Sequence, residues 1–449
     1  MKSFAALILF FITSTRLLAA PFAYVTDFQS SLISIIDLAT NTAIGYVDNN
    51  SFDLTHPVHI KFSPDRTKVY VTVDVANSVY LIDPTSNKVI LRVDDTGFPF
   101  SAPSGLGFTP DGTKCYVTDE TGNNVSIIDV ATNKVTGYVT TGAFPFNLPH
   151  SLDITDDGLK GYIVNYDGNT VSILDVGSDT VTGYVTTGAF PFSTPTNVKF
   201  SDINAYVTNF NSNKVSIINI ATDTVTGFVN DVLFPSALPN AVFILSNDQT
   251  GLFTNFGSDK VSVFDVPTNR VIQFVTDLSH TFNDPRRLNF TADNKFAYVT
   301  NFGNNTVSIV DLSTFSVIGI VNSTQFPFSS PNDIEISETI VPPPPTPFVP
   351  GPGTPTNLKA IMRENVFLTQ TDLFNIITWS PPADAVPPVE YRIFRDAALT
   401  DLAATVLANK TLRFVDHNRK PHSTDLYFIV SVNALGQIST PALIQVSRP

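Results

Sequence analysis

The sequence predicts an all-β chain in which a seven-bladed β-propeller is followed by a β-sandwich. An internal repeat occurs in seven copies whose starts lie 46, 46, 46, 44, 46 and 46 residues apart, and a period of this length is typical of propellers and other repeat folds. Only five of the 40 acidic residues are glutamate, and the predominance of aspartate favours turns over helices. The copies begin at Ala23, Val69, Cys115, Gly161, Ala205, Gly251 and Ala297.

Each copy carries the signals of a four-stranded blade. The copy that begins at Ala205, AYVTNFNSNKVSIINIATDTVTGFV, alternates runs rich in Val, Ile, Tyr and Thr with clusters of Asn and Asp, the pattern of three short strands joined by turns. A fourth strand, which starts with proline, precedes six of the copies, and four antiparallel strands make one propeller blade. These proline strands are predicted at 57–62, 103–108, 149–154, 195–200, 239–244 and 285–290.

The first copy has no proline strand before it, and the missing strand occurs at the far end of the repeats. Residues 331–337 begin 46 positions after Pro285 and no further copy follows them. We therefore expect this segment to pair with the strand around Tyr24 and to complete blade 1 as one C-terminal plus three N-terminal strands. Such 1+3 closure removes the exposed sheet edges of an open array.

The tetrapeptides Tyr206–Asn209 and Tyr298–Asn301, each followed by an N-x-V-S-I segment, resemble the YVTN-family β-propeller repeat. The resemblance covers residues 22–337. It implies a propeller of the kind found in exported bacterial and archaeal surface proteins, and similar propellers include surface-layer components, carbohydrate-acting lyases and lactonases. Copy two ends the motif with Val73, and copy six has Leu252 in place of the tyrosine.

Composition changes abruptly after the last repeat. Residues 341–353 are dominated by proline and glycine and predict an extended polyproline linker. Residues 354–449 resemble a fibronectin type III sandwich, in which Trp379 is expected to anchor the core and Tyr427 to occupy a late strand. The predicted domains are therefore a signal peptide (1–20), the propeller (21–340), the linker (341–353) and the sandwich (354–449).

The N-terminus and the charge balance predict the setting of the protein. Lys2, an apolar run and small residues up to Ala20 are typical of an export signal, so we expect a secreted, periplasmic or cell-surface protein without a membrane span after cleavage. A net charge of −14 disfavours nucleic acid as a partner. With one cysteine, Cys115, no intrachain disulfide can form.

Sequence motifs exclude several enzyme classes. GxSxG, HExxH, Walker A, CxxC and EF-hand patterns are all absent, and we expect neither a cofactor nor a metal. An aspartate recurs at the end of the third strand of most copies, as in Asp129 and Asp311. A residue that every blade needs is interpreted as structural, here the first residue of an Asx turn.

Functional residues are expected where the copies differ. On the proline strands the variable positions place His59, Arg286, Arg287 and Asp333 at the channel, where the histidine is a candidate general base and an arginine a candidate oxyanion clamp. The alternative is that these charges fasten the closing strand. That alternative predicts contacts of Arg287 with Asp333, of Glu335 with Lys61 and of Asp153 with Lys199.

The loops between blades repeat a Phe-Pro-Phe motif. If one phenylalanine of each pair is exposed, the face presents an aromatic binding surface for a peptide or a sugar. The leading interpretation is an exported binding protein whose partner is a protein or glycan at the cell surface. The alternatives are a lyase or lactonase at the channel mouth and a structural envelope component. The candidate binding residues are Phe98, Phe100, Phe144, Phe146, Phe190, Phe192, Phe326 and Phe328.

Overall fold

A computed structural model describes residues 21–277, 280–337, 352–367, 370–382, 388–417, 419, 423–433 and 438–447. The predicted signal peptide, nearly all of the predicted linker and the cleavage site lie outside these residues. The described residues contain strands, turns and one 3₁₀ helix (Phe256–Ser258), and none of their helices is long and apolar enough to cross a membrane. The chain divides into two compact units, Met1–Phe348 and Val349–Pro449.

The strands of the repeat region follow the predicted pattern. Each proline strand starts at the predicted residue. In chain order the strands are β1 Phe22–Asp27, β2 Leu32–Asp37, β3 Thr42–Tyr46, β4 Pro57–Phe62, β5 Val69–Val73, β6 Ser78–Asp83, β7 Lys88–Arg92, β8 Pro103–Phe108, β9 Lys114–Asp119, β10 Asn124–Asp129, β11 Lys134–Tyr138, β12 Pro149–Ile154, β13 Lys160–Asn165, β14 Thr170–Asp175, β15 Thr180–Tyr184, β16 Pro195–Phe200, β17 Asn204–Asn209, β18 Lys214–Asn219, β19 Thr224–Phe228, β20 Pro239–Ile244, β21 Thr250–Asn255, β22 Lys260–Asp265, β23 Arg270–Phe274, β24 Pro285–Phe290, β25 Phe296–Asn301, β26 Thr306–Asp311, β27 Ser316–Ile320 and β28 Pro331–Ile336.

These strands form four-stranded antiparallel sheets, which we name blades 1 to 7. Blade 1 has the order β28-β1-β2-β3, and the later blades are β4–β7, β8–β11, β12–β15, β16–β19, β20–β23 and β24–β27. The first strand of each blade lies beside the first strand of the next, and β28 lies beside both β24 and β4. The sheets therefore surround a central channel, and the predicted all-β propeller is confirmed.

The closing strand pairs as the sequence predicts. In β1, Tyr24 lies opposite Glu335 of β28, and Thr26 lies opposite Asp333. Because β1 follows the N-terminal segment while β28 is the last strand of the repeats, the two ends of the repeat region are joined through backbone hydrogen bonds of a single sheet.

Conserved spacing within the repeat explains how neighbouring blades are held. The tyrosine of the second strand reaches the last residue of the Ala-Thr-Asn turn of the next blade. That turn residue has positive φ, which suits Asn and Asp. The hydroxyl donors and their acceptors are Tyr24–Asn87, Tyr70–Asn133, Tyr116–Asp179, Tyr162–Asp223, Tyr206–Asn269 and Tyr298–Asn41.

The aspartates at the ends of the third strands make the Asx turns that the sequence predicts. Asp129 Oδ1 accepts hydrogen bonds from Thr132 N at 2.7 Å and from its hydroxyl at 2.6 Å. Asp311 makes the same contacts with Ser313. These aspartates are thus structural.

The second unit contains two sheets of its own. One has the order β29-β30-β33 and the other β32-β31-β34-β35. Trp379 is buried in their apolar core, with its ring centroid 5.5 Å from that of Tyr391. The likeness to fibronectin type III stays a prediction. The strands are β29 Thr356–Phe367, β30 Gln370–Ser380, β31 Glu390–Phe394, β32 Leu402–Leu407, β33 Arg413–Asp416, β34 Thr424–Val432 and β35 Ala442–Ser447.

Candidate functional site

The innermost strands line a cavity of about 180 Å³ in the channel. Each of these strands is the edge of its sheet, so its unpaired backbone groups need partners. Side chains of the preceding blade supply them. Asp333 accepts a hydrogen bond from Ile60 N at 3.1 Å, and Glu335 accepts one from Phe62 N at 3.1 Å. The closing strand is thereby tied to blade 2.

The same arrangement recurs farther around the channel. Asp153 accepts a hydrogen bond from Phe200 N at 3.2 Å, and the Asn197 amide oxygen accepts one from Val242 N at 3.0 Å. A polar side chain at these variable positions therefore saturates the edge of the following strand. This recurrence favours a structural role for the channel charges.

His59 is engaged at both ring nitrogens. Its Nδ1 accepts a hydrogen bond from Leu106 N at 3.0 Å, which places the proton on Nε2, 3.4 Å from Asp333 Oδ2. Burial lowers the pKa of His59 well below its ordinary value, and the charges of Arg287 and Lys61 lower it further. No lone pair is left for a substrate proton, so the geometry does not favour the general-base role that we considered for His59.

Two of the three predicted charge pairs are present. Arg287 Nε lies 3.9 Å from Asp333 Oδ1, and Lys199 Nζ lies 3.0 Å from Asp153 Oδ2. The third predicted pair, Glu335 with Lys61, was wrong because a different cation pairs with Glu335. Glu335 instead lies 3.8 Å from Arg66 Nη1 and accepts a hydrogen bond from the Asn289 amide at 2.8 Å.

Desolvation acts on both carboxyls of the closing strand. Burial raises the pKa of Asp333, against the opposing effects of Arg287 and the backbone N–H of Ile60. Burial also raises the pKa of Glu335 to about 7, although Arg66 and Lys61 oppose it.

A second ring of side chains surrounds the channel mouth, on the face where the innermost strands begin. Its members directly follow the second strand of each blade, and we call them the mouth ring. Five are aromatic and contiguous around the propeller, and the two acidic members are also neighbours. In blade order they are Phe28, Asp74, Glu120, Tyr166, Phe210, Phe256 and Phe302.

This ring was not predicted from the sequence, although a signal was present. The residue after the YVTN unit is aromatic in five copies and acidic in the other two. An aromatic residue at the edge of a turn lies outside the strand pattern, so strand positions alone do not reveal it.

His150 and Glu120 form the closest charged contact at the mouth. His150 Nδ1 lies 2.6 Å from Glu120 Oε1, and both side chains are about one quarter exposed. Burial raises the pKa of Glu120, but the hydrogen bond from His150 and its charge outweigh burial and bring the pKa below its ordinary value. With Nδ1 donating to the carboxylate, Nε2 carries the lone pair of the neutral ring.

Arg286 lies on the aromatic part of the mouth ring. Its guanidinium carbon is 4.9 Å from the ring centroid of Phe256 and 4.3 Å from that of Phe302. Its Nε is buried without a hydrogen-bond partner. Burial lowers the pKa of Arg286, and Asp284 opposes this effect, yet the group stays cationic at neutral pH. A cation in this state is suited to an anionic group of a ligand.

Two adjoining cavities open at the mouth, with volumes of about 190 Å³ and about 250 Å³. Glu120, His150, Asn240 and Arg286 line both of them. The structure thus brings a histidine–carboxylate pair and a desolvated arginine to one concave surface. Of the predicted candidates, Arg286 lines both mouth cavities, and Arg287 lines the smaller mouth cavity and the channel cavity. His59 and Asp333 line the channel cavity.

The Phe-Pro-Phe loops are packed between blades. The second phenylalanine of each motif is buried, as in Phe146, which is 5% exposed. The first is half-buried or buried and meets an aromatic ring of a neighbouring blade edge-to-face, as Phe144 meets Tyr184 at 5.4 Å. All eight phenylalanines that we proposed as binding residues are buried or half-buried, and their binding role stays a prediction: Phe98, Phe100, Phe144, Phe146, Phe190, Phe192, Phe326 and Phe328.

No group of three or more His, Cys, Asp or Glu side chains that could hold a metal ion occurs among the described residues. The one cysteine, Cys115, is buried. Burial raises its pKa to about 12, so at neutral pH the thiol is protonated.

Solved structures share the fold of this chain. A functionally unknown protein from Desulfotomaculum acetoxidans has a TM-score of 0.58 and 16% identity, over 71% of this chain and 100% of that one. A periplasmic gluconolactonase from Pseudomonas aeruginosa has a TM-score of 0.55 and 16% identity, over 72% and 99%. A putative 6-phosphogluconolactonase from Bacteroides fragilis has a TM-score of 0.55 and 14% identity, over 71% and 98%.

These likenesses show the fold. No family model and no curated protein matches the chain. The resemblance to the YVTN family therefore stays a prediction from the repeat motif.

Proposed function

We propose that the propeller hydrolyses cyclic esters at the channel mouth, with His150, Glu120 and Arg286 as the reacting groups. The observation that carries the proposal is the 2.6 Å contact of His150 with Glu120 beside an arginine whose Nε has no partner. This arrangement supplies a base, a group that orients it and a cation for developing negative charge.

In the proposed reaction His150 Nε2 accepts a proton from water, and the resulting hydroxide attacks the lactone carbonyl carbon. The Glu120 carboxylate stabilises the imidazolium that forms, and Arg286 stabilises the negative charge on the carbonyl oxygen. The ring C–O bond then breaks, and the leaving oxygen takes the proton from His150. Water is consumed, and the product is an open hydroxy acid.

The names of the solved structures support this reaction class. Two of the propellers that share the fold are called lactonases, and a lactone carbonyl is a group that this arrangement can attack. The lactonase, considered first as an alternative, is therefore now preferred to a binding platform. The platform depended on exposed loop phenylalanines, and those rings pack against neighbouring blades.

The setting of the enzyme is also a proposal. The residue pattern of the N-terminal segment supports export to the periplasm or cell surface, with the sandwich unit as a second module beyond a proline-rich linker. Cell fractionation with an antibody to the propeller tests this localisation, and recovery of the full-length protein in the cytosol would contradict it.

The proposed activity is tested by titrating acid release from δ-valerolactone and glucono-δ-lactone at constant pH, with the buffer rate subtracted. Glu120→Gln leaves His150 without its carboxylate, and Arg286→Gln removes the cation, so each is expected to lower kcat/KM about 100-fold. His417→Gln, in the second unit, is the matched control and should keep wild-type kinetics. A wild-type rate equal to buffer for these two lactones and also for δ-decalactone, a lactone with a pentyl substituent, would overturn the proposal.

A further inference from the structure

The two mouth cavities differ in what lines them beyond the residues that they share. The smaller, which we call the polar lobe, adds four polar residues and two apolar ones: Asp74, Ser104, Arg287, Asn332, Phe28 and Val58. The larger, which we call the apolar lobe, adds Leu148, Tyr166 and Phe210. Because His150 and Arg286 line both lobes, a substrate that reacts at His150 has both lobes beside the part that does not react.

Two polar groups of the apolar lobe, the Thr196 hydroxyl and the Asn240 carbonyl oxygen, are committed to the protein. Thr196 also lines this lobe, but its hydroxyl donates to Asn240 O at 2.8 Å and lies 2.9 Å from the Thr208 hydroxyl. The Asn240 carbonyl oxygen accepts a second hydrogen bond, from the Thr208 hydroxyl, at 3.0 Å. A substrate hydroxyl placed against these two groups would lose its water without gaining a comparable partner there.

Aromatic contacts reinforce the apolar wall. Phe210 lies 5.8 Å from Phe256, and Tyr166 lies 5.7 Å from the His150 ring, between centroids. Phe256 in turn lies under the Arg286 guanidinium. Aromatic rings therefore lie beside both the proposed base and the proposed oxyanion clamp.

Resting on the proposed function, we infer that the substrate is a lactone with an apolar arm, an alkyl or aryl substituent that occupies the apolar lobe. A fully hydroxylated sugar lactone does not suit this lobe. Each methylene group that is buried strengthens binding, so a pentyl arm that contacts Phe210 and Leu148 is expected to raise kcat/KM by at least about tenfold over an unsubstituted ring.

The test compares kcat/KM for δ-decalactone, which carries a pentyl arm, with kcat/KM for δ-valerolactone and for glucono-δ-lactone. We expect the wild-type protein to prefer δ-decalactone over each by at least about tenfold. Phe210→Ser should reduce the ratio of δ-decalactone to δ-valerolactone by about tenfold. Phe28→Ser changes the same ring position at the polar lobe and should leave that ratio unchanged. Thermal unfolding of each variant verifies the fold.

The outcomes separate the two proposals. Hydrolysis of the lactones without preference for δ-decalactone would overturn the apolar arm and leave the lactonase standing. An unchanged substrate ratio in folded Phe210→Ser would have the same meaning. Failure to hydrolyse any of the three lactones would overturn the proposed function itself and, with it, this inference.

Discussion

At the scale of single residues, two blades carry a buried aspartate where four others carry asparagine at the end of the YVTN unit. Asn165 donates from its amide to the Ser172 hydroxyl at 2.9 Å. Asp119 in the same position accepts from the Ser126 hydroxyl at 2.5 Å and from Ser101 N at 3.3 Å. Burial raises the pKa of Asp119 to about 7, against the lowering effect of these hydrogen bonds.

This comparison predicts that Asp119→Asn stabilises the propeller as the pH rises. The pKa of Asp119 is higher in the folded protein than in the unfolded chain, so its contribution to stability is lost between about pH 4 and pH 7. The free energy of unfolding of the variant should therefore rise relative to that of the wild type across that range, by on the order of 2 to 4 kcal/mol at pH 8. Urea unfolding at pH 4, 6 and 8 measures the gain. A gain independent of pH would contradict the assigned pKa direction.

The roles of single residues were predicted correctly from the sequence where the residue type and its position in the repeat allow one local structure. The Asx-turn aspartates such as Asp129 were predicted because every copy needs the turn. His59 looked like a base because a histidine near an acid and an arginine suggests one. Only the three-dimensional partners of its two nitrogens show otherwise, and those come from β8 and β28, far apart in the sequence.

At the scale of elements, the departure in copy six is matched by a second departure in blade 7. Leu252 replaces the tyrosine whose hydroxyl would reach the next turn, and that turn ends in Phe315 in place of asparagine. Leu252 is fully buried, and Phe315 packs against its cluster. Phe315 has φ of 49°, an unfavourable value for a bulky residue, so an apolar contact replaces the usual hydrogen bond between blades.

A double-mutant cycle tests this compensation. Leu252→Tyr alone buries a hydroxyl without an acceptor, and Phe315→Asn alone removes the apolar contact, so each should lower the free energy of unfolding by about 1 to 3 kcal/mol. The double variant restores the pair found between blades 5 and 6, Tyr206 with Asn269. In urea unfolding, the double variant should lose less free energy of unfolding than the two single variants together, by about 1 kcal/mol or more. Additive losses would show that the two substitutions are independent.

Elements were predicted well because strand, turn and proline signals recur in seven copies, and each copy supports the others. The partners across blades were predicted less well. Glu335 was assigned to Lys61 from their order around the ring, whereas Arg66, on the turn after β4, reaches Glu335 instead. Charge order along strands does not reveal which long side chain folds back toward its neighbour.

At the scale of the whole molecule, the closed ring places structural side chains in the channel and the proposed reacting groups at the mouth. The channel charges satisfy the edges of the innermost strands, as Asp333 and Glu335 do for β4. The mouth ring lies outside these strands, and its member Glu120 meets His150 and Arg286, which lie at the starts of the innermost strands β12 and β24. Closure was predicted from the sequence, because the proline strand at residues 331–337 has no further copy after it. The mouth site was not predicted, because its members come from separate blades and only the closed ring brings them together.

The central claim, that His150 at the mouth and not His59 in the channel is the reacting histidine, is tested most directly by one comparison. The measurement is kcat/KM for δ-decalactone hydrolysis, per folded protein, in the wild type, His150→Gln and His59→Gln. We expect His150→Gln to lose at least about 100-fold with an unchanged melting temperature, and His59→Gln to melt earlier while it keeps kcat/KM within about threefold. Loss of activity in folded His59→Gln, with His150→Gln fully active, would contradict the account.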